Sequence, residues 1–152
     1  MAPGIEVGPV QEEEFETLLP LIAAYQSFYE VDEIDNERNR SFFRRFLAPS
    51  EDGELLAARD ESGSILGYAC LYWHFSSLAA VETVLMNDLF VAQGTRGRGI
   101  GRALIEASRA VARRRGAAWL EWATAPDNHT AQRLYDSMTS EKSTWLEYEL
   151  DV

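Results

Sequence analysis

The chain has 152 residues, 46% hydrophobic and 26% charged, with a net charge of −11, a composition that predicts one soluble globular domain over 1–152 with a substantial core. It holds no long apolar run, no basic-then-apolar leader after Met1, and one cysteine, Cys70. Those features point away from a membrane span, a secretory leader and a disulfide framework, so the cytoplasm is the expected compartment. Between residues 93 and 116, seven arginines face one glutamate, a local charge of +6 that leaves −17 on the rest. A basic island in an acidic body suits a polyanionic cofactor at the island and a cationic acceptor elsewhere, and argues against nucleic-acid binding.

Ile5 to Val10 is a short apolar run that predicts a first strand. Gln11 to Tyr29 places Phe15, Leu18, Leu19, Ile22, Tyr25 and Tyr29 on one helical face, with Pro20 expected to kink or restart the helix. Glu30 to Glu37 is an acidic connection. Asp35 to Leu47 reads as a second helix with Phe42, Phe43, Phe46 and Leu47 turned inward.

Glu54–Arg59 and Ile65–His74 read as strands joined by a turn at Asp60 to Ser64, and Val81–Val91 as the next strand. Three strands in succession imply an antiparallel meander. A long helix follows, with Ile100, Ala103, Leu104, Ala107 and Val111 on its apolar face. The strand expected at Ala117–Thr124 then closes a parallel strand–helix–strand unit. Pro126-Asp127-Asn128 marks a helix start, and Ala131, Leu134, Tyr135 and Met138 share a face of the helix after it. Thr144, Leu146, Tyr148 and Leu150 alternate with Trp145, Glu147, Glu149 and Asp151, which predicts a last strand at a sheet edge open to a second subunit. The fold class is α/β with a mixed, mostly antiparallel sheet and flanking helices.

Chemistry concentrates between Asn87 and Tyr135. The turn Arg96-Gly97-Arg98-Gly99-Ile100-Gly101-Arg102 joins a strand to a helix start. Its glycines permit close backbone approach, and the helix's first amides favour an anion. The spacing fits neither a dinucleotide fingerprint nor a P-loop. It resembles the Arg/Gln-x-x-Gly-x-Gly/Ala signature of the GCN5-related N-acetyltransferases (the GNAT superfamily), matched by Arg96, Gly99 and Gly101. A second motif of that superfamily, Asn-x-x-Ala-x-x-x-Tyr, is matched by Asn128, Ala131 and Tyr135. Taken with Asn87-Asp88-Leu89-Phe90-Val91, the pattern looks especially like a yeast subgroup that acetylates histone tails and polyamines and forms oligomers.

The resemblance implies an acetyl-CoA-dependent N-acetyltransferase, with the turn from Arg96 to Arg102 holding the pyrophosphate and Asn128 and Ala131 meeting the pantetheine arm. It implies Tyr135 as the acid that protonates the departing thiolate. A backbone amide of Leu89, Phe90 or Val91 would receive the oxyanion. For the base, Asp88, an Asn87-held water, Glu82 and Glu121 all remain open. Glu30, Asp32 and Glu33, with Asn87, are the expected acceptor contacts. The expected acceptor is a cationic small amine, polyamine-like, or a lysine side chain of a peptide. The alternatives are a protein N-terminus, an aminoglycoside, or a non-catalytic CoA sensor. A homodimer is expected. After Tyr135, Met138-Thr139-Ser140-Glu141 replaces the superfamily's usual Leu-Gly-aromatic. His74, His129 and Cys70 give no metal-ligand cluster, and the four tryptophans read mainly as core.

Overall fold

Alternating apolar residues build one sheet, described in a computed structural model that covers residues 3–138 and 141–152. The chain divides into two compact units, Met1–Trp122 and Ala123–Val152. In the first, β1 (Glu6–Pro9), β2 (Gly53–Arg59), β3 (Ile65–Ser76), β4 (Val81–Val91) and β5 (Leu120–Glu121) lie in that spatial order. The pairs β1–β2, β2–β3 and β3–β4 are antiparallel, and β4–β5 is parallel. This is the mixed, mostly antiparallel α/β architecture that the order of strands and helices predicts.

Helix α1 (Phe15–Phe28) covers one face of the sheet with Phe15, Leu18 and Ile22 fully buried, each worth roughly 1.5–3 kcal/mol of burial. They pack with Leu55, Tyr68, Cys70 and Phe90. The helix continues through Pro20 without the restart that was one of the two expectations there. The short 3-10 turn Glu12–Glu14 precedes α1. Arg59 holds that turn to β2 through Glu14, with Nε to Oε2 at 2.9 Å.

Helix α2 (Asn36–Phe43) is capped by Asp35, whose side chain accepts from the amides of Glu37 and Arg38, and it is tied to α1 by a reciprocal amide pair. Gln26 Nε2 donates to Asn39 Oδ1 and Asn39 Nδ2 to Gln26 Oε1, both at 2.8 Å. Phe43 and Phe46 turn inward as expected, but Phe42 is 39% exposed, because the chain tightens into a 3-10 turn at Arg44–Phe46 and only one phenylalanine of the adjacent pair can face the sheet.

Helix α3 (Ile100–Arg114) buries Ile100, Leu104, Ile105, Ser108, Val111 and Ala112. The buried stripe is rotated from the expected one, with Ile105 and Ser108 inside and Ala103 and Ala107 on its flanks. Ser108 is tolerated there because its hydroxyl donates to the Leu104 carbonyl at 2.7 Å. A Cβ on Gly67 would collide with the Phe90 carbonyl oxygen of β4 at 2.7 Å and crowd Ile100 and Leu104 of α3 at 3.3 Å, so the missing side chain serves both the β3–β4 pairing and the seat of α3.

Pairing at β5 is shorter than the expected Ala117–Thr124: only Val84–Leu120 and Leu85–Glu121 are in register. The tryptophans are not core. Trp119 and Trp145 are 42% and 79% exposed, while Trp73 and Trp122 are half-buried. Trp73 carries the Arg115 guanidinium 3.7 Å above its ring.

In the second unit, α4 (His129–Asp136) is capped by Asn128, which accepts from the Ala131 amide at 3.2 Å. Ala131, Leu134, Tyr135 and Met138 are half-buried, as their spacing predicts. The segment 141–152 forms no strand and is exposed throughout, against the expected Thr144–Leu150 strand. Alternation supplies a face but not a partner, and a lone strand leaves its backbone groups unpaired. Thr139 and Ser140, within the unusual connection after Tyr135, lie outside the described residues.

Candidate active site

The site in the larger unit starts from a bulge. Across β3 and β4, Cys70 pairs with Asp88 and Leu71 with Met86, so Asn87 is the extra residue. A bulge re-aims the side chains around it. Asp88 therefore stands opposite Cys70, on the face covered by α1, 4% exposed. Asn87 is exposed, yet its Nδ2 reaches Asp88 Oδ1 at 2.9 Å. The Tyr68 hydroxyl lies 3.5 Å from Asp88 Oδ2, and Tyr25 also hydrogen-bonds the carboxylate. Burial pushes the Asp88 carboxyl up to about 6, and the bonds from Asn87, Tyr68 and Tyr25 moderate the rise. Desolvation, then the neighbouring Asp88 charge, raises the Tyr68 hydroxyl and the Cys70 thiol well above their ordinary values.

The bulge also sets which backbone groups are free. Near the start of β4 the Val84 amide donates toward β5, to Trp119 O, whereas just past its end the Ala92 amide donates toward β3, to Leu66 O. Alternation then gives the Phe90 amide to β3 and turns those of Leu89 and Val91 to the open edge, beyond the point where β5 stops. Phe90 itself is 8% exposed and packs its ring 5.8 Å from Tyr25.

The basic turn follows. Gly97 and Gly99 take φ of +81° and +78°, conformations that suit glycine. Gly99 is the N-cap of α3 and supplies no side-chain cap. The first internal bond runs from Ala103 N to Gly99 O, so the amides of Ile100, Gly101 and Arg102 precede the helical ladder. Ile100 is buried and anchors the helix start, while Arg98 and Arg102 are exposed. The Arg96 side chain takes another course, over Phe28 and Phe90.

Glu30, Asp32 and Glu33 are all exposed on the loop between α1 and α2. Glu82 is exposed, six residues before Asp88 on β4 or roughly 20 Å of strand. Glu121 accepts from Trp119 Nε1 at 2.7 Å and lies 3.6 Å from His74. The structure thus gathers Asn87 and Asp88 with two residues that spacing alone did not single out for chemistry, Tyr25 and Tyr68. Their only signal was a hydroxyl at positions the apolar pattern assigns to core. In the second unit, Asn128 and Ala131 cap α4 and Tyr135 is half-buried on its inner face. No group of three metal-ligating side chains occurs among the described residues.

The model of the Acetyltransferase (GNAT) family matches residues 18–138. The chain belongs to the GNAT family. This acetyltransferase is 32% identical over 136 residues to the uncharacterized N-acetyltransferase YhfO of Bacillus subtilis, covering 89% of each chain. It is 33% identical over 132 residues to the D-amino-acid N-acetyltransferase HPA3 of Saccharomyces cerevisiae, covering 86% of this chain and 81% of that one. A crystal structure of a probable acetyltransferase superposes with a TM-score of 0.84 at 27% identity, over 97% of each chain. The protein is an N-acetyltransferase, and acetyl-CoA is the cosubstrate of its family.

Proposed function

We propose that this acetyltransferase moves the acetyl group of acetyl-CoA directly to a primary amine on the α1 face of β4, with Asp88 taking the amine's proton. The observation that carries this reading is a carboxylate that is 4% exposed and pushed up to about 6, which suits a base working near neutral pH. The glycine turn fits the cosubstrate. The amides of Gly97 to Arg102 would cradle the pyrophosphate at the start of α3, with Arg98 and Arg102 adding positive charge. Bound there, acetyl-CoA supplies an acetyl thioester.

Asp88 accepts a proton from the acceptor ammonium and frees its lone pair for attack. Asn87 holds the carboxylate in place. The amides of Leu89 and Val91, at the open edge of β4, stabilise negative charge developing on the acetyl oxygen. The N–C bond forms as the C–S bond breaks; Tyr135 gives its phenolic proton to the departing sulfur, and the second proton shed by the new amide nitrogen restores the phenol. The products are the N-acetyl amine and CoA. Asn128 and Ala131 keep their motif role toward the pantetheine arm. The family match over 18–138 supports treating both units as one acetyltransferase domain.

The acceptor is a small amine that arrives as a cation, or the side chain of a lysine. Glu30, Asp32 and Glu33 attract it at long range rather than by contact. HPA3 is named as a D-amino-acid N-acetyltransferase, which supports an amine acceptor. The exposed Trp145, Leu146, Tyr148 and Leu150 suit pairing with a second copy of the chain. Sedimentation of the full chain should then report a dimer, and a chain ending at Met138 a monomer. The lone, buried Cys70 suits a reducing compartment such as the cytoplasm, and no helix among the described residues is long and apolar enough to cross a membrane.

The test is release of free thiol from acetyl-CoA across a panel of amines, wild type beside Asp88→Asn. Turnover with at least one small amine is expected, falling about 10²–10⁴-fold in the variant. Equal rates would remove Asp88 as the base. Tight acetyl-CoA binding with no turnover on any amine would favour a CoA sensor.

A further inference from the structure

Asp88 is shut away from the solution that delivers its proton donor. It is 4% exposed, and Tyr68, whose hydroxyl lies 3.5 Å from Oδ2, is fully buried beside it. Asn87 reaches the surface, but it meets Oδ1 through an amide N–H. Such a group orients a carboxylate and does not pass a proton on. Neither of these partners connects the carboxylate to an ammonium arriving from outside.

Tyr25 differs from both. It hydrogen-bonds the same carboxylate from α1, yet it is half-buried rather than enclosed. On its inner side the ring stands edge-on to Tyr68 and Phe90, with centroids at 6.1 and 5.8 Å. On its outer side it meets Tyr29 at 5.1 Å, and Phe28 and Tyr29 are the exposed aromatics at the end of α1. One phenol thus spans from the buried acid to the open rim, held by rings on three sides. The other titratable groups around Asp88 come from β3: Tyr68, Cys70 and Tyr72. Tyr68 and Cys70 are fully buried, and the Tyr72 ring is stacked on Phe46 at 5.3 Å. A hydroxyl both donates and accepts, so Tyr25 alone in this group can bond the carboxylate on one side and an incoming amine on the other.

We propose that Tyr25 relays the acceptor's proton to Asp88, its hydroxyl giving up its own proton to the carboxylate while taking one from the acceptor ammonium. This rests on the reading of Asp88 as the base. An N–H bond of the ammonium breaks and an O–H bond forms on Tyr25; the original O–H bond of Tyr25 breaks and one forms on Asp88. The phenol ends as it began, the amine's lone pair is free to attack, and no charge is left on the ring. Tyr25 is then a catalytic residue, and Tyr68, which touches only Asp88 along this path, a positioning residue.

The test pairs two acceptors of one shape, a primary alkylamine and its fluorinated analogue, at a pH where the first is an ammonium and the second already neutral. Thiol release from acetyl-CoA is followed for wild type, Tyr25→Phe, Tyr68→Phe and Asp88→Asn. Tyr25→Phe should cut kcat/KM by about 10²-fold for the ammonium and at least about 10-fold less for the neutral amine, with the KM of acetyl-CoA unchanged. Tyr68→Phe, which leaves the relay intact, should lose far less on the ammonium. An equal loss on both acceptors would reduce Tyr25 to a packing role and overturn the proposal. Equal losses in Tyr25→Phe and Tyr68→Phe, or an undiminished rate in Tyr25→Phe, would overturn it as well. Where Asp88→Asn still slows the ammonium selectively, the base stands without the relay. No selective loss in Asp88→Asn, or turnover of no amine by wild type, would overturn both.

Discussion

Asn87 donates its side-chain Nδ2 to Asp88 Oδ1 at 2.9 Å, although neighbours in a strand ordinarily point to opposite faces. The bulge at Asn87 makes the contact possible and sends the Asp88 carboxyl beneath α1. One extra residue thus creates a buried acid and leaves the amides of Leu89 and Val91 facing the open edge.

Burying that acid costs stability once it ionises. The folded chain holds the Asp88 proton to about pH 6, against an ordinary value of 3.8. The stabilisation is therefore full below about pH 4 and is lost as pH rises through 6. The gap of roughly two units corresponds to about 3 kcal/mol. Asp88→Asn removes the ionisation, so its stability relative to wild type should rise by up to about 3 kcal/mol between pH 4 and pH 8. Urea unfolding at the two pH values measures this. A pH-independent difference would show that the carboxyl titrates normally.

Gly99 caps α3 at a φ of +78°. Gly99→Ala should cost about 1–2 kcal/mol in thermal or urea unfolding. It should also raise the KM of acetyl-CoA more than it lowers kcat, because the strain falls where the amides of Ile100 to Arg102 begin. A fall in kcat alone would place the turn's role in chemistry rather than binding.

Tyr135→Phe removes a hydroxyl and keeps the ring that packs on α4's half-buried face. If Tyr135 protonates the leaving sulfur, kcat should fall by about 10²-fold with the KM of acetyl-CoA nearly unchanged. Slowed thiol release with unaltered tight binding of acetyl-CoA in calorimetry would support the role. Unchanged kcat would pass the proton to solvent.

The helix-and-strand order was legible because local periodicity set it: β4 falls at Val81–Val91 as its alternation predicts, and α3 begins where the glycine turn ends. The turn and the cap at Asn128 were legible because their chemistry is encoded by adjacent residues. Neither the bulge nor its consequence was legible. Nothing in Asn87-Asp88 says that one residue is left unpaired, since that depends on where β3 sits. Tyr25 and Tyr68 meet Asp88 only after α1 folds onto the sheet. Arg96 could be read as part of a phosphate turn, but its path over Phe28 and Phe90 follows from where α1 ends. The tail failed in the opposite direction, because Thr144–Leu150 has strand periodicity without a strand to pair with.

The most direct test of Asp88 as base is the pH dependence of kcat, at saturating acetyl-CoA and amine, for wild type and Asp88→Asn. For wild type the account predicts a rate that rises with pH along a limb near 6, as the buried carboxyl loses its proton, and then levels. For Asp88→Asn it predicts a far lower rate without that limb. The same limb persisting in Asp88→Asn would contradict the account.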